Sequence, residues 1–569
     1  RVRQRMTALC QRLISAETAP WFRALLTNDN SGLPYADQNA LKLAGLYHSV
    51  CTSGMHIHIL MGAVTLLCLR RRRLAAAIGL PVCVFFWAVA GGTPSASRAV
   101  VMLALLLAAP LLLREQDTPT SLALALTVIL LRRPDAIAHL GFQLSFLSVA
   151  GISLLYRRVE RSAFRRRMND RLRRRSRLLR GAVRALNASL TSSLGALLLT
   201  TPLLAWRYGV FSLVSPLSGL LCLWAVTVCF AAGLPVLLLG RAASGAAAVL
   251  ALPLEWLMRF VIWTTHALAA LPGAALYLSA PYWVVWLAAA YGFVLLAWLG
   301  RLRPGRLLGC LLLSFGLALG FHMLELHLTE PAQFRLTALD VGQGQCLILR
   351  SGGETCVIDC GGSWPEDAGE RCARYLLGQG VRRIDRLVLT HYHADHAGGV
   401  MQLLSRVPAE AVYAPELEDD TGLRASIAAA AGPAFHPVTE ATELPLGTGR
   451  LTLYAPRSLA GDNEACLAVL ASFGEDDLLV TGDMSVGTEL LLCKSADLPD
   501  VEILVAGHPG SRSASGEAFL ARILPEVVIV SCEAGNRYGH PHPETLARFA
   551  ALGSAVLRTD ELGNLTIER

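Results

Sequence analysis

Acidic residues are scarce in the first 330 positions, where 11 Asp and Glu face 33 Lys and Arg. Hydrophobic residues make up 53 % of the 569-residue chain and the mean hydropathy is +0.47, which excludes one ordinary soluble domain. No glycine-rich phosphate loop is present. Gly342-Gln343-Gly344 lacks the required spacing and precedes a strand, so the chain does not itself hydrolyse ATP. None of the fourteen cysteines forms a Cys-x-x-Cys pair. Cys356 and Cys360 flank Asp359 outside any zinc-knuckle spacing, and most of the cysteines read as small buried hydrophobes. No repeat at a solenoid period is visible. The chain begins Arg1-Val2-Arg3-Gln4-Arg5, without an initiating Met or a signal peptide, and so reads as a fragment lacking its true start.

Charge divides the chain. Residues 1–330 carry a net +22 and residues 331–569 a net −14. Apolar runs fit membrane spans near 54–69, 74–91, 98–113, 119–133, 138–156, 186–206, 211–240, 244–272, 281–300 and 306–328. Prolines at 202, 216, 235 and 253 mark expected interruptions. Basic residues cluster at Arg70 to Arg73, at Arg157 to Arg184 with thirteen Arg, and at Arg301, Arg303 and Arg306. The positive-inside rule places all three clusters in the cytoplasm, and four spans separate each from the next. The last span then puts residues 331–569 outside the cell. The Arg-rich loop reads as a topology signal with lipid-headgroup contact rather than a DNA-binding element. Residues 1–53 hold amphipathic helices beside the membrane, lying in the interface or packed on the bundle. Residues 54–328 form the transmembrane region, with about ten spans. His56, His58, Arg98 and Gln143 lie in or beside apolar runs, where they line a polar path or hydrogen-bond between helices.

From residue 331 the pattern changes to short strands and helices. Strands read at 334–339, 346–350, 355–359, 386–390, 451–454, 466–471, 478–482, 502–506, 527–531 and 555–558. Helices read at 368–379, 398–406, 486–495, 515–523 and 543–551. This order fits an αββα sandwich. Its most informative segment is His391-Tyr392-His393-Ala394-Asp395-His396, three imidazoles and a carboxylate at a strand end. The His-x-His pair suits one metal ion and the Asp-His pair a second, as in two-metal hydrolases. Other apolar runs close on Asp359, Asp483 and His508. Together these residues resemble the metallo-β-lactamase fold.

The resemblance extends further. Leu339-Asp340-Val341-Gly342-Gln343-Gly344-Gln345 and Asn536-Arg537-Tyr538-Gly539-His540-Pro541-His542-Pro543-Glu544 resemble segments of ComEC-type DNA-uptake channels. So do Ser53-Gly54-Met55-His56, Pro94-Ser95-Ala96-Ser97-Arg98-Ala99 and Gly141-Phe142-Gln143-Leu144-Ser145-Phe146 in the apolar part. The resemblance implies a polytopic helical membrane bundle followed by a metallo-β-lactamase-like sandwich. It implies a cell-membrane channel that passes single-stranded DNA inward, and an outer metal-dependent nuclease that degrades the other strand. His391 and His393 would hold one divalent ion, Asp395, His396 and His508 the other, and Asp483 would bridge, with Asp395, Asp483 and His508 central to catalysis. The ions would be zinc or manganese. Asp359, Asn463, His540 and His542 are further candidates for metal or substrate, the last two alternatively a helix-capping turn. Asn463 stands where many metallo-β-lactamase relatives have a histidine. His436 sits in a Pro-flanked loop and reads as a surface residue.

Two positions depart from the family pattern: Gln345 replaces an Asp, and His508-Pro509-Gly510-Ser511 replaces His-His-Gly-Ser. The implied partners are single- and double-stranded DNA, the lipid membrane, a competence DNA receptor and a cytoplasmic translocation ATPase. A second copy of the chain is left open. The −14 charge argues against tight DNA binding by the soluble domain alone. Seven thiols in an outer domain fit an anaerobic source or partial disulfide pairing. Competing readings are a membrane-anchored phosphoesterase without transport, and a channel whose outer domain is inactive.

Overall fold

Side chains that find no water must find lipid or a neighbour, and the two charge halves solve this differently. The computed structural model describes residues 2–50, 54–69, 71–108, 117–161, 177–277, 281–300, 304–328, 333–363, 367–417, 421–456 and 465–569. The Arg-rich loop at 162–176 and Asn463 lie outside the described residues. By their contacts the residues group into two units, Arg1–Leu278 and Ser279–Arg569.

The first unit is helical. Apolar helices run over Gly54–Leu67, Arg72–Val89, Pro94–Ala108, Thr118–Arg132, Leu140–Arg161, Arg177–Tyr208, Ser215–Leu239 and Ser244–Ala269. Ser215–Leu239 and Ser244–Ala269 are long and apolar enough to cross a membrane by length and composition. Prolines 202, 235 and 253 lie inside continuous helices and do not interrupt them. Neighbouring helices and waters can re-satisfy the backbone groups that a proline frees. Pro216 occupies the first turn of its helix, where no N–H is needed. Two short strands, β1 (Val210–Ser212) and β2 (Ala275–Tyr277), pair antiparallel between helices.

The N-terminal helices pack on the bundle. Ala19–Thr27 buries Trp21, Phe22, Leu25 and Leu26 in one cluster with Cys222, Phe230 and Met258. Trp21 Nε1 donates to Asp37 at 2.7 Å, and His266 Nε2 meets the other Asp37 oxygen at 2.8 Å.

The second unit opens with two apolar helices, Pro281–Trp298 and Pro304–Leu328, which meet through Trp283, Trp286 and Phe315. Two seven-stranded sheets follow. One runs β16 (Leu565–Glu568), β3 (Arg335–Ala338), β4 (Leu347–Ser351), β5 (Glu354–Ile358), β6 (Ile384–Val388), β7 (Ala409–Pro415), β8 (Phe435–Val438). The other runs β15 (Ala555–Arg558), β14 (Val527–Val530), β13 (Ile503–Val505), β12 (Asp476–Val480), β11 (Ala468–Phe473), β10 (Gly449–Tyr454), β9 (Thr442–Leu446). Each sheet joins antiparallel strands to a parallel half, which is β5 to β8 in the first and β12 to β15 in the second.

Residue alternation builds the layers. Leu347, Leu349, Cys356, Ile358 and Val388 face a core shared with Leu478, Val480, Ile503 and Val505 of the other sheet. Their neighbours Ile348, Val357, Leu387 and Leu389 face helices that include Ala368–Gly378 and Leu423–Ala431. Leu479 and Leu504 face Val486–Ser495 and Glu517–Ile523. The central strands are buried on both faces and so read as unbroken apolar runs. The result is an αββα sandwich, as expected.

Besides β1 and β2, four strands of the sandwich escaped the sequence reading: β7, β8, β9 and β16. Three of them are sheet edges, where one side meets water and the apolar pattern is weak. The helix Leu423–Ala431 was also missed, and β6 begins two residues earlier than expected. The helix expected at 398–406 is two short helices, Ala394–Ala397 and Val400–Leu404, parted at Gly398-Gly399.

Candidate metal centre

In both sheets the candidate site residues follow the carboxyl ends of parallel strands. After β6, Leu389 N–H still donates to Tyr413 O of β7 at 2.8 Å. The chain then leaves the sheet at Thr390 and presents His391. The next turn packs against glycine: a Cβ on Gly361 would come within 2.4 Å of the Asp395 carbonyl carbon. Gly482 has φ +58°, and a Cβ there would lie 2.9 Å from Thr390, too close for a side chain. That turn delivers Asp483.

His391, His396 and Asp483 converge, with one ligand atom of each inside a 4.8 Å span and all three residues buried. Asp483 Oδ1 lies 3.1 Å from His396 Nε2 and Oδ2 lies 3.8 Å from His391 Nε2. Each carboxylate oxygen therefore faces a different imidazole. His393 joins them, with its Nδ1 3.1 Å from His391 Nε2. His508 is close enough for its charge to act on both His391 and Asp483. It sits in the left-handed region at φ +45°, uncommon for a non-glycine residue and typical of a constrained site. Asp395 is half-buried in Ala394–Ala397. Its carboxylate is not part of the three-residue group.

Asp359 has a supporting place. It is fully buried, and its oxygens accept from Thr390 N–H at 2.8 Å, Thr390 Oγ1 at 2.7 Å and Gln345 Nε2 at 2.9 Å. Its Oδ2 also meets His396 Nδ1 at 2.8 Å. This fixes the His396 ring so that Nε2 points at Asp483. A carboxylate behind a histidine is the usual way to orient a metal ligand. Gln345 thus supplies an amide donor where the family pattern has an acid. Thr390 was missed by the sequence reading; its signal was a polar residue ending an apolar strand.

The electrostatics fit cations. Burial opposes charge on Asp483, yet His396, His391 and His508 hold its carboxyl below the usual range. Burial, then repulsion from His396, pushes His391 well down. Burial also opposes protonation of His396, but Asp483 and Asp359 outweigh it and raise the imidazole well above its ordinary value. His396 Nε2 and Asp483 Oδ1 are fully buried and make no hydrogen bond. Two buried ligand atoms that meet only each other, 3.1 Å apart and with imidazole and carboxylate chemistry, suit a divalent ion.

A second imidazole group borders the first. The His508 and His540 rings are 5.5 Å apart, and those of His540 and His542 4.9 Å. Asn536 builds this turn, accepting from Tyr538 N–H and His540 N–H and donating to His540 O. Burial, then His508 and His542, pushes His540 down to about 4, so it is neutral at pH 7. His542 also precedes the helix Pro543–Ala551, and its Nδ1 accepts from Arg512 N–H. His436 is exposed, stacked on Tyr413 in edge strand β8 rather than in a loop.

In the apolar part, three quoted motifs meet. Arg98 is buried, and its Nε donates to Ser145 Oγ at 2.7 Å. A Cβ on Gly54 would lie 2.5 Å from an Arg98 guanidinium nitrogen, so glycine makes room for that group. His56 is fully buried against Phe230. Gln143 is half-buried and donates to Ile137 O, which closes the turn Pro134–Ala138.

Comparison with known proteins agrees with both parts. Residues 25–303 match the competence protein family model, and residues 339–534 match the metallo-beta-lactamase superfamily. ComE operon protein 3 of Bacillus subtilis is 24 % identical over 99 % of this chain and 73 % of its own length. Competence protein ComA of Neisseria gonorrhoeae is 29 % identical over 95 % of this chain and 73 % of its own. Recombination protein 2 of Haemophilus influenzae is 26 % identical over 45 % of this chain and 31 % of its own. Residues 25–303 therefore belong to the competence protein family and residues 339–534 to the metallo-beta-lactamase superfamily, the domain pair of the ComEC-type competence proteins.

Proposed function

We propose that residues 54–328 pass single-stranded DNA across the cell membrane, and that the domain at 331–569 hydrolyses the strand that is not transported. The observation that carries the second half is Asp483, whose two oxygens face His396 and His391 separately. That is the arrangement a carboxylate shared by two cations needs. His391 and His393 would hold one ion, Asp395, His396 and His508 the other, with Asp483 common to both. Divalent ions held there, zinc or manganese, supply Lewis acidity and neutralise charge on a phosphodiester. Asp359, Gln345 and Thr390 keep His396 in place. His540, neutral at pH 7 and edged against His508, is placed to donate a hydrogen bond to a phosphate oxygen. The −14 charge of the domain is tolerable when the membrane part feeds it a tethered strand, because effective concentration replaces affinity.

The buried Arg98, with Ser145 and the space left by Gly54, favours a channel over a plain anchor. An ionisable group inside an apolar bundle is costly and marks a transport path by default. His56 belongs to the same reading. Gln143, which donates to the Ile137 carbonyl, is a further candidate for the path. With the Arg clusters in the cytoplasm the domain would lie outside the cell, where a competence DNA receptor would deliver duplex and an ATPase would pull from within.

The test is a duplex labelled differently on each strand and given to competent cells. One strand should enter intact while the other appears outside as fragments. Asp483→Ala should abolish the fragments, whereas unchanged fragments would contradict the nuclease reading.

A further inference from the structure

Cys346, Cys360 and Cys372 share no sequence motif, and each alone reads as a small core residue. The fold gathers them. Cys346 leads into β4, Cys360 follows β5, and Cys372 lies on the helix Ala368–Gly378. Their sulfurs lie within 4.8 Å of one another, and all three residues are fully buried. None of the three is in a disulfide. Ordinary core packing accounts for one buried thiol on each element. It gives no reason for three sulfurs from three elements to face a common point.

The donor set selects the ligand. It is all sulfur. The nearby carboxylate of Asp359 is engaged by Thr390, Gln345 and His396, so it is not free to complete a four-donor zinc site. Three soft donors in a dry pocket suit a soft ion of low coordination number. Metal–sulfur bonds of about 2.3 Å in a trigonal plane put sulfurs about 4 Å apart, inside the observed limit. The positive charge of Arg371 acts on Cys346 and offsets part of the thiolate charge.

We infer that Cys346, Cys360 and Cys372 form a trigonal site for a soft thiophilic ion, with Cu(I) as the probe. The site is separate from the histidine centre but backs onto it. Cys346 follows Gln345 and Cys360 follows Asp359, the two residues that hold His396. Cys360 N–H also donates to His396 O at 2.6 Å. An ion bound there would staple β4, β5 and the helix behind the histidine loop.

The experiment uses the full chain, made in copper-supplemented cells and purified in detergent with ascorbate. It should keep one copper per chain against a Cu(I) chelator, and X-ray absorption should count three sulfurs. Cys346→Ala, Cys360→Ala and Cys372→Ala should each reduce retained copper to near zero. Cys356→Ala, equally buried on β5, should keep it, and so should Asp483→Ala, which separates this site from the histidine centre. No retained copper in the parent, a two-sulfur or nitrogen-containing spectrum, or copper kept by Cys372→Ala would overturn the assignment. The parent's spectrum decides the matter even if a cysteine variant does not fold.

Discussion

The two parts of this chain bury opposite things. In the helical part, large apolar side chains point outward: Trp256 is 72 % exposed and Trp263 69 %, while Arg98 is buried. In the sandwich domain the strands are apolar on both faces, and the buried charge is confined largely to the metal centre and a few paired acids. The first part turns large apolar side chains outward and keeps an apolar interior with one buried guanidinium; the second is built for water outside. The same rule, that each group must meet a matching neighbour, yields both patterns once the solvent changes.

The comparison yields tests of decreasing size. The largest effect belongs to Asp483. Asp483→Ala should lower hydrolysis on the order of 10²–10³-fold, beyond the ~10–100-fold expected for a supporting residue. Activity within a factor of three of the parent would remove this carboxylate from the site. Next is the buried cation of the other part. Arg98→Leu should block DNA internalisation while the protein still inserts and still hydrolyses DNA. An anchor predicts the reverse, since leucine is favourable in lipid, and normal uptake would favour it.

Asp359→Asn keeps the shape but loses the charge behind His396. Metal affinity should fall ~10–100-fold, read by competition with a chelator. No change would mean that His396 is oriented by packing alone. A smaller effect concerns stability. Glu489 is fully buried, accepts from Ser515 N–H and Gly516 N–H, and is pushed up to about 7 mainly by burial. Between its ordinary value and about 7 the folded state holds a proton that the unfolded state has released. Stability should therefore fall as pH rises through this window, by about 1.4 kcal/mol per unit at most, and level off above it. Glu489→Gln should flatten that slope, and an unaltered slope would assign it to another group. At the bottom stands His436→Ala on the exposed edge strand, which should leave metal content and hydrolysis unchanged.

Much of this was legible in the sequence because it depends on local pattern. Apolar runs gave the helices and the doubly buried strands; His391 and His396 stood out in the His-rich loop, and Asp483 and His508 as polar residues ending apolar runs. What escaped depends on tertiary packing. Edge strands β8, β9 and β16 carry half-exposed, mixed sequences. Gln345 matters through Asp359, and Thr390 through Asp359 and His391, contacts that no spacing rule reveals. The three cysteines come from three elements and become neighbours only after folding. Asp359 was noticed as a strand-end acid, but its hydrogen bonds, and so its supporting place, needed coordinates.

The central claim is that one carboxylate serves two ions. Its most direct test is the metal content of the full chain, purified in detergent and dialysed against buffered zinc or manganese, for the parent and for Asp483→Ala. The account predicts two divalent ions per chain in the parent, and loss of both ions together with hydrolysis in the variant. Two ions retained by Asp483→Ala, or hydrolysis by a parent stripped of metal, would contradict it.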